Sequence, residues 1–290
     1  MNLVSIKNFI LDTLFPPHCV NCGKEGSYLC EDCQSLIEVL ENLYCPVCKK
    51  RLPILNHTIS RACPGVKKSR YGVCKECKNR TKLNGLYFAA AYQNQIVKKL
   101  ISQFKYGPLI KELANPLSNL IITHFQLLTQ HLFLKGAGLN QVPRQNLEEP
   151  SAQRLECSAY GTGRFGAGFL LVPVPLHKKK LKQRGFNQAE EIAKKLSEAL
   201  KISLVADLLI KVKETLPQVG LPMEERKENL KGVFAIKNFT LPSFQRKFGR
   251  ASKILLVDDV YTTGSTMEEC AEVLKKAGAK EVWGVVAARE

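Results

Sequence analysis

Two adjacent carboxylates and a run of hydroxyl side chains lie close together near the end of the sequence. The stretch 253–270 reads KILLVDDVYTTGSTMEEC, so Asp258 and Asp259 follow four apolar residues directly. Such an apolar run is typical of a buried parallel strand, and open α/β sheets bind ligands at the carboxyl ends of their strands. Two carboxylates at that position suit the vicinal hydroxyls of a sugar or a metal-bound sugar.

The residues just after the acids favour phosphate binding. The first backbone N–H groups of a helix have no partner within the helix, and a glycine lets an anion approach them closely. The alternative is a capped turn with surface acids, but a cap needs only one Thr or Ser. The predicted phosphate loop consists of Thr262, Thr263, Gly264, Ser265 and Thr266.

A basic stretch lies earlier in the chain. Residues 171–250 contain 17 basic and eight acidic side chains, and the apolar run VPVP is followed by His177, three lysines, Lys182 and Arg184. Lys182 and Arg184 are therefore candidates for binding an anion. For Lys178, Lys179 and Lys180 a solvated charge run is the alternative. Asn187 is expected to cap the next helix.

Nine of the eleven cysteines precede residue 78, and eight of them form four CxxC pairs. Two CxxC turns that face each other make a tetrahedral site of four thiolates, which suits zinc. Redox motifs, disulfides and an iron–sulfur cluster are the alternatives. Sequential pairing is the first choice, and pairing of first with third and second with fourth turns is the other. The sequential sites are Cys19, Cys22, Cys30 and Cys33, and Cys45, Cys48, Cys74 and Cys77.

Composition narrows the class of protein. The 290 residues are 45% hydrophobic and 24% charged, with a net charge of +17. These values exclude wholesale disorder and a collagen-like fibre, and no run of residues is apolar enough to span a membrane. The start of the chain predicts an amphipathic helix rather than a signal peptide, so a cytoplasmic location is expected. The positive charge suits a polyanionic partner, either nucleic acid or a phosphate-rich small molecule, with a merely basic surface as the alternative.

Strands and helices alternate from residue 169 onwards, which predicts βαβ units and a parallel sheet. A strand and two helices are expected between residues 83 and 134, with Pro116 breaking or kinking the second helix. The predicted organisation is a small zinc-ribbon module with four-cysteine sites at 1–80 and an α/β domain at 83–290. A flexible insertion is expected at about 136–168, where glycines and prolines are frequent.

The segment from the two acids to Thr266 resembles the ribose-phosphate loop of type I phosphoribosyltransferases. In that family two acids bind the ribose hydroxyls of phosphoribosyl pyrophosphate (PRPP), and the loop binds its 5′-phosphate. Residues 172–193, the FKYG at 104–107, residues 216–234 and the CxxC turns resemble the ComF family, bacterial proteins linked to competence for DNA uptake. The expected fold class is therefore α/β, with a parallel-sheet type I phosphoribosyltransferase-like domain after the zinc-ribbon module.

The resemblance also implies ligands and roles. Asp258 and Asp259 would bind the ribose, the phosphate loop would bind the 5′-phosphate, and the stretch with Lys182 and Arg184 would bind pyrophosphate with Mg²⁺. A mobile loop at 213–231 would close over the substrate, with Arg226 as the candidate catalytic residue and Asn229 as a further candidate for contacting the ligand.

Three functions follow as hypotheses: a phosphoribosyltransferase with an unknown acceptor, a PRPP-binding sensor without transfer chemistry, and a factor that handles single-stranded DNA. The two acids are expected to matter for ligand binding and not for folding.

Overall fold

The computed structural model describes residues 16–52, 72–107, 110–136, 169–214, 230, 232–237 and 253–290. Three predicted features therefore lie outside the described residues: the helix at the start of the chain, almost all of the insertion at 136–168, and most of the loop at 213–231. In the parts that are described, no helix is both long enough and apolar enough to cross a membrane.

A five-stranded parallel sheet forms the centre of the molecule. Its strands are β3 (Gly85–Ala91), β4 (Phe169–Pro173), β5 (Ser203–Leu204), β8 (Lys253–Tyr261) and β9 (Glu281–Arg289). Their order across the sheet is β3-β9-β8-β4-β5, and every neighbouring pair is parallel. Ile254 to Val257 are fully buried, as the continuous apolar run predicts for a strand covered on both faces. The predicted fold class is confirmed.

Helices cover both faces of this sheet. On one face, α3 (Ala114–Gly136) packs against α5 (Gln188–Leu200), and α5 crosses β4 and β8. On the other face, α6 (Ser265–Lys276) packs against β8 and β9. The helix α5, which leads from β4 to the next strand β5, and the helix α6, which leads from β8 to β9, thus lie on opposite faces. The carboxyl ends of β4 and β8 therefore form a topological switch point, where open α/β sheets bind ligands.

The helix α2 (Gln95–Tyr106) follows β3 and begins at Asn94, whose side chain accepts hydrogen bonds from the next turn. Pro116 does not break the following helix, contrary to the sequence prediction. It lies in the first turn of α3, where a backbone N–H has no partner within the helix, so proline costs nothing there.

Two short elements near the basic stretch differ from the sequence prediction. The lysine run forms a helix, α4 (Lys178–Arg184), which ends at Gly185 in the left-handed conformation, φ 71°. The short edge strand β5 is not apparent from the sequence pattern. Two short strands, β6 (Leu209–Lys211) and β7 (Phe234–Ile236), form an antiparallel pair, and β7 packs against α6.

Within its described residues, 16–52 and 72–80, the cysteine-rich module contains short elements. These are one turn of helix, α1 (Glu31–Ser35), a hairpin of two-residue strands, β1 (Leu43–Tyr44) and β2 (Arg51–Leu52), and a 3-10 helix, Lys75–Arg80. Its apolar side chains join the core on the α3 face of the sheet, and the Leu40 N–H donates to the Ala89 carbonyl of β3 at 2.8 Å. The module is thus packed directly on the sheet.

Candidate functional site

The two acids lie where the neighbouring strand stops. The last hydrogen bond between these segments joins the Val174 N–H to the Val257 carbonyl at 2.9 Å, and Asp258 and Asp259 follow at once on β8. Side chains alternate along a strand, so the two carboxylates point to opposite faces of the sheet. Asp259 is only 5% exposed, although it belongs to a charged residue type that is rarely buried without a partner.

Lys105 is that partner. Its Nζ lies 2.8 Å from Oδ1 of Asp259, and the lysine side chain is itself 18% exposed. Burial opposes the charge on Lys105, but attraction to Asp259 and Asp258 outweighs it and raises the lysine pKa. Lys105 belongs to the FKYG segment, which the sequence marked only as a resemblance to the ComF family. The one feature of the sequence that could have indicated this ion pair is a lysine between Phe104 and Tyr106, at the end of an apolar helix face.

Asp258 has a different environment from Asp259. Burial, with the negative charge of Asp259, raises the pKa of Asp258 to about 7, while Lys105 and Arg184 act in the opposite direction. Its Oδ1 accepts a hydrogen bond from the Asp259 backbone N–H at 2.9 Å. The carboxylate is therefore destabilised in the free protein, which makes it a ready acceptor for hydroxyl groups or a cation that would compensate its charge.

This environment predicts that Asp258→Asn stabilises the free protein, increasingly at higher pH. The raised pKa means that the folded protein keeps a proton at pH values where the unfolded chain has lost it, and this stabilisation is lost as pH rises through about 7. Asparagine does not ionise, so the variant does not lose stability in this way. At 1.36 kcal/mol per pKa unit, the free energy of unfolding of the variant relative to wild type should increase by up to about 2 kcal/mol between about pH 5.5 and pH 8.5.

Thermal unfolding of both proteins at the two pH values measures this advantage. A Tm gap that stays constant or shrinks towards alkaline pH would contradict the assigned environment of Asp258.

The predicted phosphate loop forms the turn between β8 and α6. Gly264 has φ 79°, and a Cβ at this position would overlap the phenol group of Tyr261. The hydroxyls of Thr263 and Ser265 lie 3.0 Å apart, and α6 begins at Ser265. The loop thus places the first N–H groups of a twelve-residue helix beside two hydroxyls, an arrangement suited to anion binding, and the Ser265 N–H points to the Thr263 hydroxyl at 3.5 Å.

Arg184 lies across the end of the FKYG segment. Its guanidinium is 5.2 Å from the centre of the Tyr106 ring and donates to Oε1 of Gln188 at 3.2 Å. Lys182 is exposed on α4. His177 caps α4 by accepting from the Lys179 N–H, which is a structural role.

The FKYG segment and the segment 184–188 form one junction. The rings of Phe104 and Phe186 are 5.5 Å apart, and Nε2 of Gln188 donates to the Phe104 carbonyl at 3.1 Å. The predicted cap at Asn187 is confirmed, because its side chain accepts from the Ala189 N–H. Asn187 also donates to the Val174 carbonyl at 3.0 Å, so the junction is tied to the end of β4. This packing brings Lys105 and Arg184 to the two acids.

Arg226 and Asn229, the remaining predicted ligand contacts, lie outside the described residues.

The eight paired cysteines gather into two clusters, and within each cluster all four Sγ atoms lie within 4.8 Å of one another. The composition of the clusters follows the sequential pairing, not the interleaved one. The residue after each first-turn pair has positive φ, 78° at Gly23 and 60° at Lys49, so both turns fold alike. Four thiols at this spacing fit a tetrahedral Zn²⁺ ion. The first cluster is Cys19, Cys22, Cys30 and Cys33, and the second cluster is Cys45, Cys48, Cys74 and Cys77.

Comparison with known proteins agrees with this geometry. A model described as "Phosphoribosyl transferase domain" matches residues 181–290, and one described as "Double zinc ribbon domain" matches residues 10–77. Competence protein F of Haemophilus influenzae is 36% identical over 120 residues, 41% of this chain and 50% of that protein.

Two further relatives show a similar match. DNA utilization protein YhgH of Escherichia coli strain K12 is 35% identical over 115 residues, 39% of this chain and 47% of that protein. Competence protein ComFC of Streptococcus pneumoniae is 33% identical over 114 residues, 39% of this chain and 45% of that protein. The chain is similar to these proteins over 39–41% of its length. The resemblance to such competence proteins that the motifs indicate is confirmed, and the two four-cysteine clusters are consistent with a double zinc ribbon. The chain spans about half the length of the curated relatives it matches.

Proposed function

We propose that this protein binds PRPP with Mg²⁺ and transfers the phosphoribosyl group to an acceptor, releasing pyrophosphate. One observation carries the proposal. At the switch point of a parallel sheet, two carboxylates lie next to a helix N-terminus with a glycine and hydroxyls, and the largely buried Lys105 bonds to Asp259 at 2.8 Å. A vicinal diol and a phosphate on one small molecule would satisfy both features.

Each part of the site has one task in binding. Asp258 and Asp259 would accept hydrogen bonds from the ribose hydroxyls, and bonds to charged acceptors are the stronger kind. The phosphate loop would bind the 5′-phosphate through backbone N–H groups and the hydroxyls of Thr263 and Ser265. Lys182 and Arg184 would bind the pyrophosphate end, since Arg184 belongs to the junction that borders the acids.

The transfer step needs no nucleophile from the protein. A lone pair of the acceptor forms a bond to the anomeric carbon while the C–O bond to pyrophosphate breaks. Pyrophosphate leaves with the electron pair of that C–O bond, and an acceptor with an N–H group loses its proton to solvent. Positive charge grows on the ribose, near two carboxylates, and negative charge grows on pyrophosphate, near basic side chains. Mg²⁺, which prefers oxygen ligands and substrate phosphates, would neutralise the pyrophosphate when bound.

Two assignments extend beyond the described residues. Arg226 is proposed to contact pyrophosphate in the transition state, and residues 1–80 and 83–290 are proposed as the two domains.

Zn²⁺ is proposed in each cysteine cluster, where it would fix the CxxC turns.

The names of the relatives support a role in competence and DNA use. Direct handling of single-stranded DNA is a second candidate function, favoured by the net charge of +17. Displacement of condensed counterions from DNA makes such binding fall steeply with salt. Binding of a single-stranded oligonucleotide should then weaken strongly between about 50 and 200 mM salt, whereas PRPP binding should depend chiefly on Mg²⁺.

The experiment that tests transfer is a screen for pyrophosphate release. The protein is incubated with PRPP, Mg²⁺ and a panel of amines and nucleobases, and pyrophosphate is quantified. Release that depends on an acceptor and is lost in Asp259→Asn would support a transferase. PRPP binding without release from any acceptor would favour the sensor hypothesis, and absence of PRPP binding would contradict both.

A further inference from the structure

The second cluster is connected to the phosphate loop through Arg289. This arginine ends β9 and is only 6% exposed. Its Nη1 donates to the Cys45 carbonyl at 3.0 Å, and its Nη2 donates to the Pro46 carbonyl at 2.7 Å. Both carbonyls belong to the CxxC turn of the second cluster. One guanidinium therefore joins the end of the central sheet to that turn.

The same guanidinium lies against the residue that supports the loop. It is 5.4 Å from the ring centre of Tyr261 and 5.4 Å from that of Phe88. The Tyr261 phenol lies directly against Gly264, where it leaves no room for a Cβ. A shift of the CxxC turn would thus move Arg289, and through the Tyr261 ring it would reach Gly264 in the phosphate loop.

The other end of the loop is connected to the same cluster. Glu268, in the first turn of α6, accepts a hydrogen bond from the Thr81 hydroxyl and another from the Lys82 N–H at 2.6 Å. Residues 81 and 82 directly follow the 3-10 helix Lys75–Arg80, which contains Cys77. Both ends of the phosphate loop therefore contact segments that this cluster would hold in place.

The first cluster has contacts of another kind. Asn21 lies between its CxxC cysteines, and its Oδ1 accepts from Lys99 of α2 at 3.0 Å. Asn94, the cap of α2, donates to the Leu36 carbonyl at 3.3 Å. These contacts reach α2, whereas those of Arg289 and Glu268 reach the phosphate loop.

We propose that the second cluster positions the phosphate loop, with Arg289 and Glu268 as positioning residues, so that metal occupancy of this cluster sets the affinity for a sugar phosphate. The ligand of the loop rests on the proposed function, but the coupling does not. Metal in the second cluster fixes the Cys45–Pro46 carbonyls and the segment after Cys77. Without it, the donors of Arg289 and the acceptors of Glu268 lose fixed partners, and the loop loses its preorganised shape.

Hydrogen exchange in the free protein tests the coupling without any ligand. Arg289→Met should raise amide exchange at least tenfold at Glu268, whose N–H bonds to the Gly264 carbonyl, and at Ser265, whose N–H bonds to the Thr263 hydroxyl, while amides of β4 and α5 keep their wild-type rates. Arg289→Lys keeps one charged donor, so its exchange rates at these amides should lie between those of wild type and Arg289→Met. Glu268→Gln should raise exchange at the same amides, and Glu272→Gln is the matched control, because Glu272 pairs with Lys276 on the surface of the same helix.

Ribose 5-phosphate is the probe for the functional consequence. Calorimetry should give at least a fivefold weaker Kd for Arg289→Met and Glu268→Gln, with the zinc content of both variants equal to that of wild type. Cys48→Ser should lose one zinc and show the same local rise in exchange, and adding Arg289→Met to it should raise exchange no further.

Unchanged exchange at Ser265 and Glu268 in folded Arg289→Met would overturn the proposal. If that variant does not fold, unchanged exchange in Glu268→Gln overturns it instead. Wild-type protein that binds neither ribose 5-phosphate nor PRPP would contradict the proposed function and leave the exchange result to decide the coupling.

Discussion

Replacing Asp259 with asparagine should weaken PRPP binding by about ten- to a hundredfold and lower the Tm of the free protein. The loss of affinity follows because a hydrogen bond to a charged acceptor contributes roughly 1.5–3 kcal/mol. The loss of stability departs from the sequence expectation that the acids do not matter for folding. It follows because Lys105, 18% exposed and 2.8 Å from Asp259, would remain charged opposite a neutral amide. Removing one partner of a buried pair costs about 3–5 kcal/mol, and the neighbouring Asp258 should reduce this cost.

Calorimetry with PRPP and Mg²⁺ gives the affinity, and thermal unfolding gives the stability. Asp207→Asn is the matched control, since Asp207 is an exposed carboxylate paired with Lys237 at 3.8 Å. It should leave both quantities unchanged. Asp258→Asn should also lose PRPP but should gain stability. An Asp259→Asn protein that binds PRPP as tightly as wild type would contradict the site assignment.

Removing zinc should unfold the cysteine-rich module and lower the Tm of the whole protein by more than any single substitution above. Binding of structural zinc contributes about 10–16 kcal/mol in small zinc-finger peptides, where it is largely folding free energy. Here the module shares one apolar core with the sheet, so its loss exposes apolar surface on the α3 face as well. Metal analysis should find two zinc per chain, and a strong chelator should remove both and lower the Tm.

The control for this prediction is Cys157→Ser, a cysteine without a CxxC partner in the sequence, which should keep two zinc per chain. One zinc per chain, iron with sulfide, or a Tm that chelation leaves unchanged would contradict the assignment.

The candidate residues that the sequence singles out lie within short segments. Asp258, Asp259 and the phosphate loop occupy one strand–turn–helix, and each CxxC turn occupies four residues, so local spacing was enough to predict that each group lies together. Lys105 could not be assigned in this way, because its position depends on the contact between the end of α2 and the start of α5. That contact joins Phe104 to Gln188, which are 84 residues apart in the chain.

Arg289 and Glu268 were missed for the same reason. Their partners lie 244 and 187 residues away, at Cys45 and Thr81, and no local pattern marks a contact of that separation. The errors in the fold have local causes instead. Pro116 was expected to break or kink a helix because its place in the first turn of α3 could not be seen from the sequence. The strand β5 has only two residues, too few for any periodicity to indicate it.

Titration of the protein with PRPP by calorimetry, in Mg²⁺ and then in EDTA, tests the central claim most directly. The account predicts one PRPP per chain, tight binding in Mg²⁺ and much weaker binding in EDTA. It also predicts no detectable binding by the double variant Asp258→Asn, Asp259→Asn, checked to be folded and to contain two zinc. Absence of binding by the wild-type protein, or equal binding by wild type and the double variant, would contradict the assignment of a PRPP site at the carboxyl end of β8.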